Sequence, residues 1–461
     1  KNVRWKILES INGLWLTVYF KDLPSDIFAN RPGSAEKRFA KLQKTVDKCA
    51  RYGIRIYVFC IEPKLFDDTS YYAIPFADAE NHPEIIGNVL DESAFCCVNN
   101  KTVEKYLTDS IKCLFTSVSG LGGMINIMFG EDNGSCLANL LYNNEECILC
   151  HEKDLAGAYC KYARVMADAL HQVSPDAEFI GWFYAPNIRD GSDYANQFIK
   201  IADKWPKDCT LMFNFESGGI SRQLGKGRNV FDYSLSYIGP SETFRKITQK
   251  TASTGAKLQV GCSHEDASVP FFPVPGNLYE KYRKLYTTGT NVVMQCWYFG
   301  NYPGIMNKAA GELSFEPFPE NKDIFLTELA RIEWHNCAKK VTKAWNYFAQ
   351  AYRQFPANIG FAWYGPMHHS IVWPLYLHPV DKPLAPTWIL KNFPETSGDR
   401  IGECMLYQHT FDECITLCSL MAEHWHKGTR ILVNLRADFA NFPDRLADIN
   451  LAEAIDLQIK S

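Results

Sequence analysis

The stretch "INIMFGEDNGSC" (residues 125–136) decides the fold, because an apolar run leads directly into two carboxylates. Residues 124–129 are apolar except for one asparagine, which is typical of a strand buried on both faces. Gly130, Glu131 and Asp132 follow where that strand would end. Two carboxylates in this place predict a site at one edge of a sheet, provided that further strands end beside this one.

Runs of the same apolar, β-branched or aromatic character recur along the chain. They cover residues 12–20, 54–62, 178–185, 210–216, 257–265 and 291–300. Segments with helical periodicity lie between them, such as residues 34–53, which begin at Ser34 and close at Gly53 as capped helices do. Strand followed by helix, repeated, predicts a parallel sheet with right-handed crossovers.

The repeated strand and helix units predict the fold class α/β and, within it, an eight-unit (β/α)8 TIM barrel. Residues 3–13, "VRWKILESING", are interpreted as the end of a helix that follows a first strand, so the first strand is expected to be missing and the visible strands are numbers two to eight. The competing architecture is an open doubly wound sheet, but no glycine-rich phosphate-binding sequence follows any strand.

The alternation of strand and helix stops after about residue 335. Residues 338–355 and 403–435 have helical character, whereas residues 358–388 between them are rich in aromatic residues and proline. We therefore expect a barrel over residues 1–335 and a C-terminal, mainly helical appendage over residues 336–461 that packs on it.

Composition limits the partners. The 461 residues carry a formal net charge of −4 and no basic run, which argues against nucleic acid. No apolar stretch is long enough for a transmembrane helix, and the visible start lacks the apolar region of a signal peptide, which favours a cytoplasmic location. Aromatic residues make up 14%, a surplus that suits a sugar-binding cleft. Monomer and oligomer are both compatible with the sequence.

Polar and aromatic residues cluster at the predicted strand ends, where this fold builds its active sites. In the count above, strands three to eight end at Glu62; Glu131 and Asp132; Trp182 and Tyr184; Asn214 and Glu216; His264 and Glu265; and Trp297 and Tyr298. Carboxylates on one rim repel each other, so a metal, a cationic partner or proton-transfer chemistry must offset the cost. No H-x-H or HExxH spacing marks a catalytic metal centre at these ends, which favours proton transfer.

Glu131 on strand four, Glu265 on strand seven and Trp297 on strand eight resemble the pattern of the retaining glycoside hydrolase clan on (β/α)8 barrels. The resemblance implies a hydrolase of glycosidic bonds in which Glu131 is the general acid/base and Glu265 the nucleophile, with the two carboxyl groups about 5 Å apart. Residues 271–285 and 289–304, followed by "NIGFAWYGP" (358–366), are also similar to bacterial barrel proteins labelled glycoside-hydrolase-like.

The family pattern is incomplete in two places. Gly130 stands where the clan has an asparagine before the acid, and the strand-six tyrosine that supports the nucleophile is not evident in "FNFESGG" (213–219). Crowding of Glu131 by Asp132 and Glu265 is expected to raise the pKa of Glu131 and keep it protonated, as a general acid requires.

The substrate is expected to be a carbohydrate, as in the degradation of a polysaccharide or glycan, and catalysis is expected to need no cofactor. The remaining strand-end residues, Glu62, Asp132, Trp182, Tyr184, Asn214, Glu216, His264, Trp297 and Tyr298, are the predicted substrate-binding set. Aromatic planes in such a set suit the C–H faces of a pyranose.

Three other functions fit the same residues. The pair Glu131–Asp132 resembles, in reversed order, the Asp-Glu pair of substrate-assisted hexosaminidases, in which Glu265 would not be a nucleophile. A non-catalytic carbohydrate-binding barrel would keep the aromatic cleft without the acid/base geometry. A metal-dependent hydrolase would use the acidic rim to bind its ion.

A cysteine group follows the strand-four end directly. Cys136, Cys147, Cys150 and His151 form the spacing C-x10-C-x2-C-H. This spacing predicts a structural zinc site that pins the loop carrying Asp132, and buried thiols without metal are the alternative.

Overall fold

A computed structural model describes residues 12–28, 34–63, 65–69, 73–130, 135–143, 146–150, 154–261, 269, 271–296, 304–356 and 408–460. The strands are β1 (Gly13–Thr17), β2 (Arg55–Cys60), β3 (Leu65–Asp67), β4 (Ile86–Leu90), β5 (Ser93–Cys96), β6 (Gly123–Phe129), β7 (Glu178–Phe183), β8 (Thr210–Asn214), β9 (Ile220–Gln223), β10 (Lys226–Asn229), β11 (Thr254–Gln259) and β12 (Val292–Cys296). The helices are α1 (Ser34–Ala50), α2 (Lys101–Ser117), α3 (Cys136–Asn143), α4 (Leu155–Val173), α5 (Asp193–Lys204), α6 (Glu242–Thr248), α7 (Pro275–Thr287), α8 (Ile305–Glu312), α9 (Lys322–Trp334), α10 (Ala338–Tyr352), α11 (Phe411–Val433) and α12 (Pro443–Lys460).

The main sheet has seven strands in the order β1-β2-β6-β7-β8-β11-β12, and every neighbouring pair is parallel. These strands are the seven that the sequence predicts, and helices connect them as predicted. Helix α6 ends at Thr248 and β11 begins at Thr254, so residues 249–253 form the connection between them.

The sheet is curled, and its two faces bury different sets of side chains. On β7, Phe179 and Phe183 pack into the large cluster beneath the helices, whereas Ile180 and Trp182 belong to a second cluster on the other face. This second cluster draws side chains from β2, β6, β7, β8 and β12. A curled parallel sheet that is apolar on both faces and has helices outside is a TIM-barrel-like α/β fold.

The helices form where capping and periodicity favour them. In α4, the Asp154 carboxylate caps the first turn by accepting from the Gly157 N–H at 3.1 Å. Its buried side chains recur at helical spacing, from Tyr159 through Met166 to Leu170. None of the described helices has the length and apolar character that crossing a membrane requires.

Sequence analysis missed a small antiparallel sheet, β3-β5-β4, which lies between β2 and α2. Strands β4 and β5 are joined by the two residues Asp91 and Glu92, and Asp91 has a φ of 51°. An Asp-Gly or Asn-Gly pair would have signalled such a hairpin, but Asp-Glu does not. The sheet therefore had no clear sequence marker.

Helices predicted over residues 338–355 and 403–435 are present as α10 and α11 where the structure describes those stretches. They pack closely, since the rings of Phe348 and Trp425 stack with centroids 4.2 Å apart. Gly428 permits this approach, because a Cβ on it would lie 2.5 Å from the Phe348 ring. The ring of Trp425 also meets that of Phe272, which precedes α7, at 5.8 Å.

The hairpin β9–β10 is bound to the start of α11. Gln408 pairs with the backbone of Asn229, accepting from its N–H at 2.6 Å and donating to its carbonyl at 2.9 Å. The Glu413 carboxylate makes ion pairs with Lys226 at 2.7 Å and with Arg228 at 2.8 Å. The C-terminal helices are thereby held to the segment that follows β8.

A buried histidine makes this contact sensitive to pH. His409 is 5% exposed, and its Nε2 lies 3.1 Å from the amide oxygen of Gln223. Burial, together with the nearby charge of Arg228, lowers the pKa of His409 from 6.5 to about 4. The folded protein therefore keeps His409 neutral, whereas the unfolded chain takes up a proton below pH 6.5.

The free energy of unfolding should fall as the pH is lowered from 6.5 towards 4, by about 3 kcal/mol from this residue. Urea unfolding across that range measures the effect. His409→Gln should flatten the slope. Equal slopes in the wild type and His409→Gln would contradict the assignment.

Candidate active site

The candidate site lies at the carboxyl ends of the main-sheet strands. Several predicted site residues, namely Glu131, Asp132, His151, His264, Glu265, Trp297 and Tyr298, lie outside the described residues. The backbone is described up to Gly130 after β6, up to Gly261 after β11, and up to Cys296 at the end of β12. The predicted strand-end residues follow these three points. Their roles therefore stay predictions, although the positions of the three strand ends are known.

The strand that precedes Glu131 ends in a specific way. The pairing of β6 with β7 shifts between Ile127 and Phe129, and Gly130 then adopts a φ of 136°. A Cβ on Gly130 would lie 2.8 Å from the Cβ of Tyr184, so only glycine fits. A side chain such as that of asparagine would not fit at this position.

Trp182 and Tyr184 are brought together on the inner face of the sheet, and each is 3% exposed. Their ring centroids are 5.3 Å apart, and the Trp182 ring also approaches Phe59 at 6.1 Å. The Tyr184 hydroxyl lies 2.6 Å from that of Tyr233, a residue that sequence analysis did not single out. These rings form an aromatic surface below the strand ends.

A buried ion pair lies beside this surface. The Lys257 ammonium pairs with Asp232, and both side chains are fully buried. The same ammonium lies 3.3 Å from the centroid of the Tyr233 ring, a cation–π contact. Burial raises the pKa of Asp232, and the charge of Lys257 opposes that shift.

Sequence analysis missed Lys257, Asp232 and Tyr233 for different reasons. The sequence contained a signal for Lys257. A lysine within a buried strand needs a partner, and strand alternation places its side chain on the face opposite to Leu258, which packs beneath the helices. The sequence contained no such signal for Asp232 and Tyr233. They lie in a connection after the hairpin β9–β10, and only the folded chain brings them to the strand ends.

Glu216 and Asn214, after or within β8, are also fully buried. The Glu216 Oε1 accepts from the Lys281 ammonium at 2.6 Å and from the Gln259 N–H at 3.2 Å. The Asn214 amide donates to the Ser217 hydroxyl at 3.2 Å. Burial raises the pKa of Glu216 to about 6 against the opposing charge of Lys281. Glu216 thus links β8, β11 and α7, and substrate contact by this pair stays a prediction.

Glu62 is not brought together with the aromatic surface. By alternation it follows Val58 and Cys60, which pack into the cluster beneath the helices. Its Oε1 accepts from the Phe20 N–H at 2.9 Å, and its N–H donates to Asn126 at 3.1 Å. These bonds tie the chain after β1 to β2 and β6, so the position of Glu62 argues for a structural role.

The cysteine group is partly as predicted. Cys136, Cys147 and Cys150 lie together, and their fourth neighbour is Cys97, which sequence analysis did not include. His151 lies outside the described residues. The described cysteines are all free thiols, with no disulfide among them.

No protein-family model matches this chain, and no curated protein matches it either. Several solved structures match this chain. A GH138 enzyme targeting pectin rhamnogalacturonan II is 10% identical with a TM-score of 0.50, covering 99% of this chain and 53% of its own. The β-glycosidase BGL167 is 9% identical with a TM-score of 0.41, covering 69% of this chain and 86% of its own.

A third structure, a family 1 β-glucosidase from Thermotoga maritima, is 11% identical with a TM-score of 0.39, covering 64% of this chain and 75% of its own. This chain spans about half the length of the GH138 enzyme. At such identities the likeness concerns the fold: this chain is built like glycoside hydrolases on a curled, parallel, TIM-barrel-like sheet.

Proposed function

We propose that this protein is a glycoside hydrolase that cleaves O-glycosidic bonds of a carbohydrate substrate. The observation that carries the proposal is the aromatic surface of Trp182, Tyr184 and Tyr233, whose rings are buried below the strand ends. Tyr184 lies directly against Gly130, the residue that leads into Glu131. Aromatic rings beneath a strand-end acid suit the floor of a sugar-binding cleft. The fold shared with a GH138 enzyme is compatible with this activity.

The proposed mechanism is retaining, with Glu131 as general acid/base and Glu265 as nucleophile. In the sheet, β6 and β11 are separated by β7 and β8. Three strand spacings would hold their ends about 14 Å apart in a flat sheet, but curling directs both ends towards the same interior. Retention requires a carboxyl separation of about 5 Å, which inward side chains at two converging strand ends would supply.

We propose that Tyr233 supplies the strand-six tyrosine that the sequence pattern lacks. It follows β8, which is the sixth strand in the count of eight, and lies against Lys257 on β11. Its hydroxyl already bonds with Tyr184, so its ring and its polar end are both held. A hydroxyl in that place can donate to a carboxylate carried by the segment after β11.

The wider architecture is part of the same proposal. It includes a (β/α)8 barrel over residues 1–335 and a helical appendage over residues 336–461. A barrel would place all strand ends around one cleft. Catalysis by two carboxyl groups in that cleft needs no cofactor.

The alternative is substrate assistance, in which Asp132 orients an acetamido group and Glu131 acts as the acid. The adjacency of the two carboxylates directly after Gly130 favours keeping this candidate. Substrate assistance differs from the two-glutamate mechanism because it requires an N-acetylated substrate.

The test is hydrolysis of a panel of aryl β-glycosides that includes N-acetylhexosaminides, with the first-formed anomer identified by NMR. Retention with unsubstituted glycosides is the expected result. Inversion would contradict the two-glutamate mechanism. Turnover confined to N-acetylated substrates would support substrate assistance. Sugar binding without any turnover would indicate a non-catalytic carbohydrate-binding barrel.

A further inference from the structure

Four cysteines from three separate parts of the chain meet in one place. Cys97 follows β5, Cys136 begins α3, and Cys147 and Cys150 lie in the connection to α4. Their sulfur atoms all lie within 4.8 Å of one another. Cys97 and Cys136 are fully buried, and Cys147 is 1% exposed. Such a convergence of thiols is more than core packing needs.

The sulfur spacing fits a metal better than a disulfide. The sulfurs of Cys136 and Cys150 are 4.0 Å apart. Four thiolates at about 2.3 Å from a tetrahedral zinc ion would be about 3.8 Å from one another. A disulfide would need a sulfur separation of about 2.05 Å. These separations are compatible with four thiolates around one ion and too long for a disulfide.

Gly87 on β4 completes the fit. A Cβ on Gly87 would lie 2.8 Å from the Cys147 sulfur and 2.8 Å from the Cys136 Cβ. The Gly87 carbonyl also accepts from the Ile148 N–H at 2.7 Å, which holds the C-x2-C turn against β4. The small sheet β3-β5-β4 thus provides one wall of the thiol cluster.

We propose that Cys97, Cys136, Cys147 and Cys150 bind one structural Zn2+. Four thiolates in a tetrahedron select zinc or iron, and a closed four-ligand set leaves no position for substrate. The fourth ligand is Cys97, in place of the His151 that the sequence spacing suggested. The site stands whether or not the protein hydrolyses glycosides.

The ion would join three segments of the chain. Cys97 follows the last strand of the small sheet, Cys147 and Cys150 belong to the connection before α4, and Cys136 lies two positions after residues 131–134, which follow β6. Zinc at this point would fix where the chain carrying Glu131 and Asp132 returns to the fold. The small sheet would then act as an anchor for one side of the proposed cleft.

The experiment is metal analysis of the full chain, purified under reducing conditions with zinc and then dialysed. We expect one zinc per chain in the wild type, and the visible absorption of tetrahedral Co2+ thiolate coordination after cobalt substitution. Cys97→Ser should lower zinc affinity by more than about 100-fold, because it removes a ligand and not an outer partner. His151→Ala and the control Cys209→Ser, a buried thiol elsewhere, should keep the metal.

Substoichiometric metal in the wild type would overturn the proposal, and that measurement needs no variant to fold. A disulfide between any two of the four cysteines, mapped without reduction, would overturn it as well. Loss of zinc in His151→Ala with retention in Cys97→Ser would replace Cys97 by the histidine. Iron in place of zinc at the same four thiolates would refute the identity of the ion.

Discussion

Lys257→Met is expected to lower the free energy of unfolding by about 3–5 kcal/mol, because it leaves the Asp232 carboxylate buried without its cation. Both side chains of the pair are fully buried, so water cannot replace the lost partner. Urea or thermal unfolding at neutral pH measures the change. The matched control is Lys204→Met, which breaks an ion pair with Asp154 whose two side chains are about half exposed, and it should lower the free energy of unfolding far less.

The double variant Lys257→Met/Asp232→Leu separates the burial of charge from the loss of packing. Removing both charges should recover most of the stability that the single change loses, because a buried ion pair contributes little net energy over apolar residues of similar size. No recovery would mean that the lysine acts mainly through its contact with the Tyr233 ring. A single-variant loss no larger than that of Lys204→Met would contradict the buried pair altogether.

The main sheet could be predicted because its strands are marked by sequence alone. The strands β6 and β8 are mostly apolar, and a capped helix precedes each of them. The smaller sheets lack such markers. The β9–β10 turn uses Leu224 and Gly225, both at positive φ, and a leucine there gives no hint of a hairpin.

The candidate site shows which residues strand-end reasoning from the sequence can group together and which it cannot. Strand ends located Trp182 and Tyr184 correctly on one inner surface, because parallel strands share a direction. The same rule grouped Glu62 with them, although alternation from Val58 and Cys60 places it on the other face. Counting the alternation back from the strand would have separated it from the other strand-end residues.

The spacing of residues in the sequence does not predict which distant parts of the chain come together. Cys147 and Cys150 form a local pair that spacing can find, whereas Cys97 joins them only because β5 lies beside the start of α3 through the bridge between Cys96 and Ser135. Asp232 likewise lies in the connection after the hairpin β9–β10, and only the folded chain brings it to Lys257. In both clusters the missing member belongs to an element that the sequence did not mark.

The largest expected effect on activity belongs to the two proposed catalytic glutamates. Glu265→Ala should lower kcat by at least about 1000-fold, because no covalent intermediate can form without the nucleophile. Added azide should restore turnover and yield a glycosyl azide of inverted configuration. Glu131→Gln should lower kcat by about 10²–10⁴-fold on substrates with poor leaving groups, and much less on those whose leaving group needs no proton.

The matched control for both variants is Glu178→Gln. Glu178 begins β7 at the opposite end of the sheet, where its carboxylate pairs with Arg55 at 2.8 Å and is about 42% exposed. Its loss should leave kcat unchanged and cost little stability. If Glu265→Ala keeps its activity on N-acetylated substrates while Asp132→Asn loses it, the nucleophile is the substrate's own acetamido group. In that case the adjacent carboxylates after Gly130 carry the chemistry, and the segment after β11 serves only to bind the sugar.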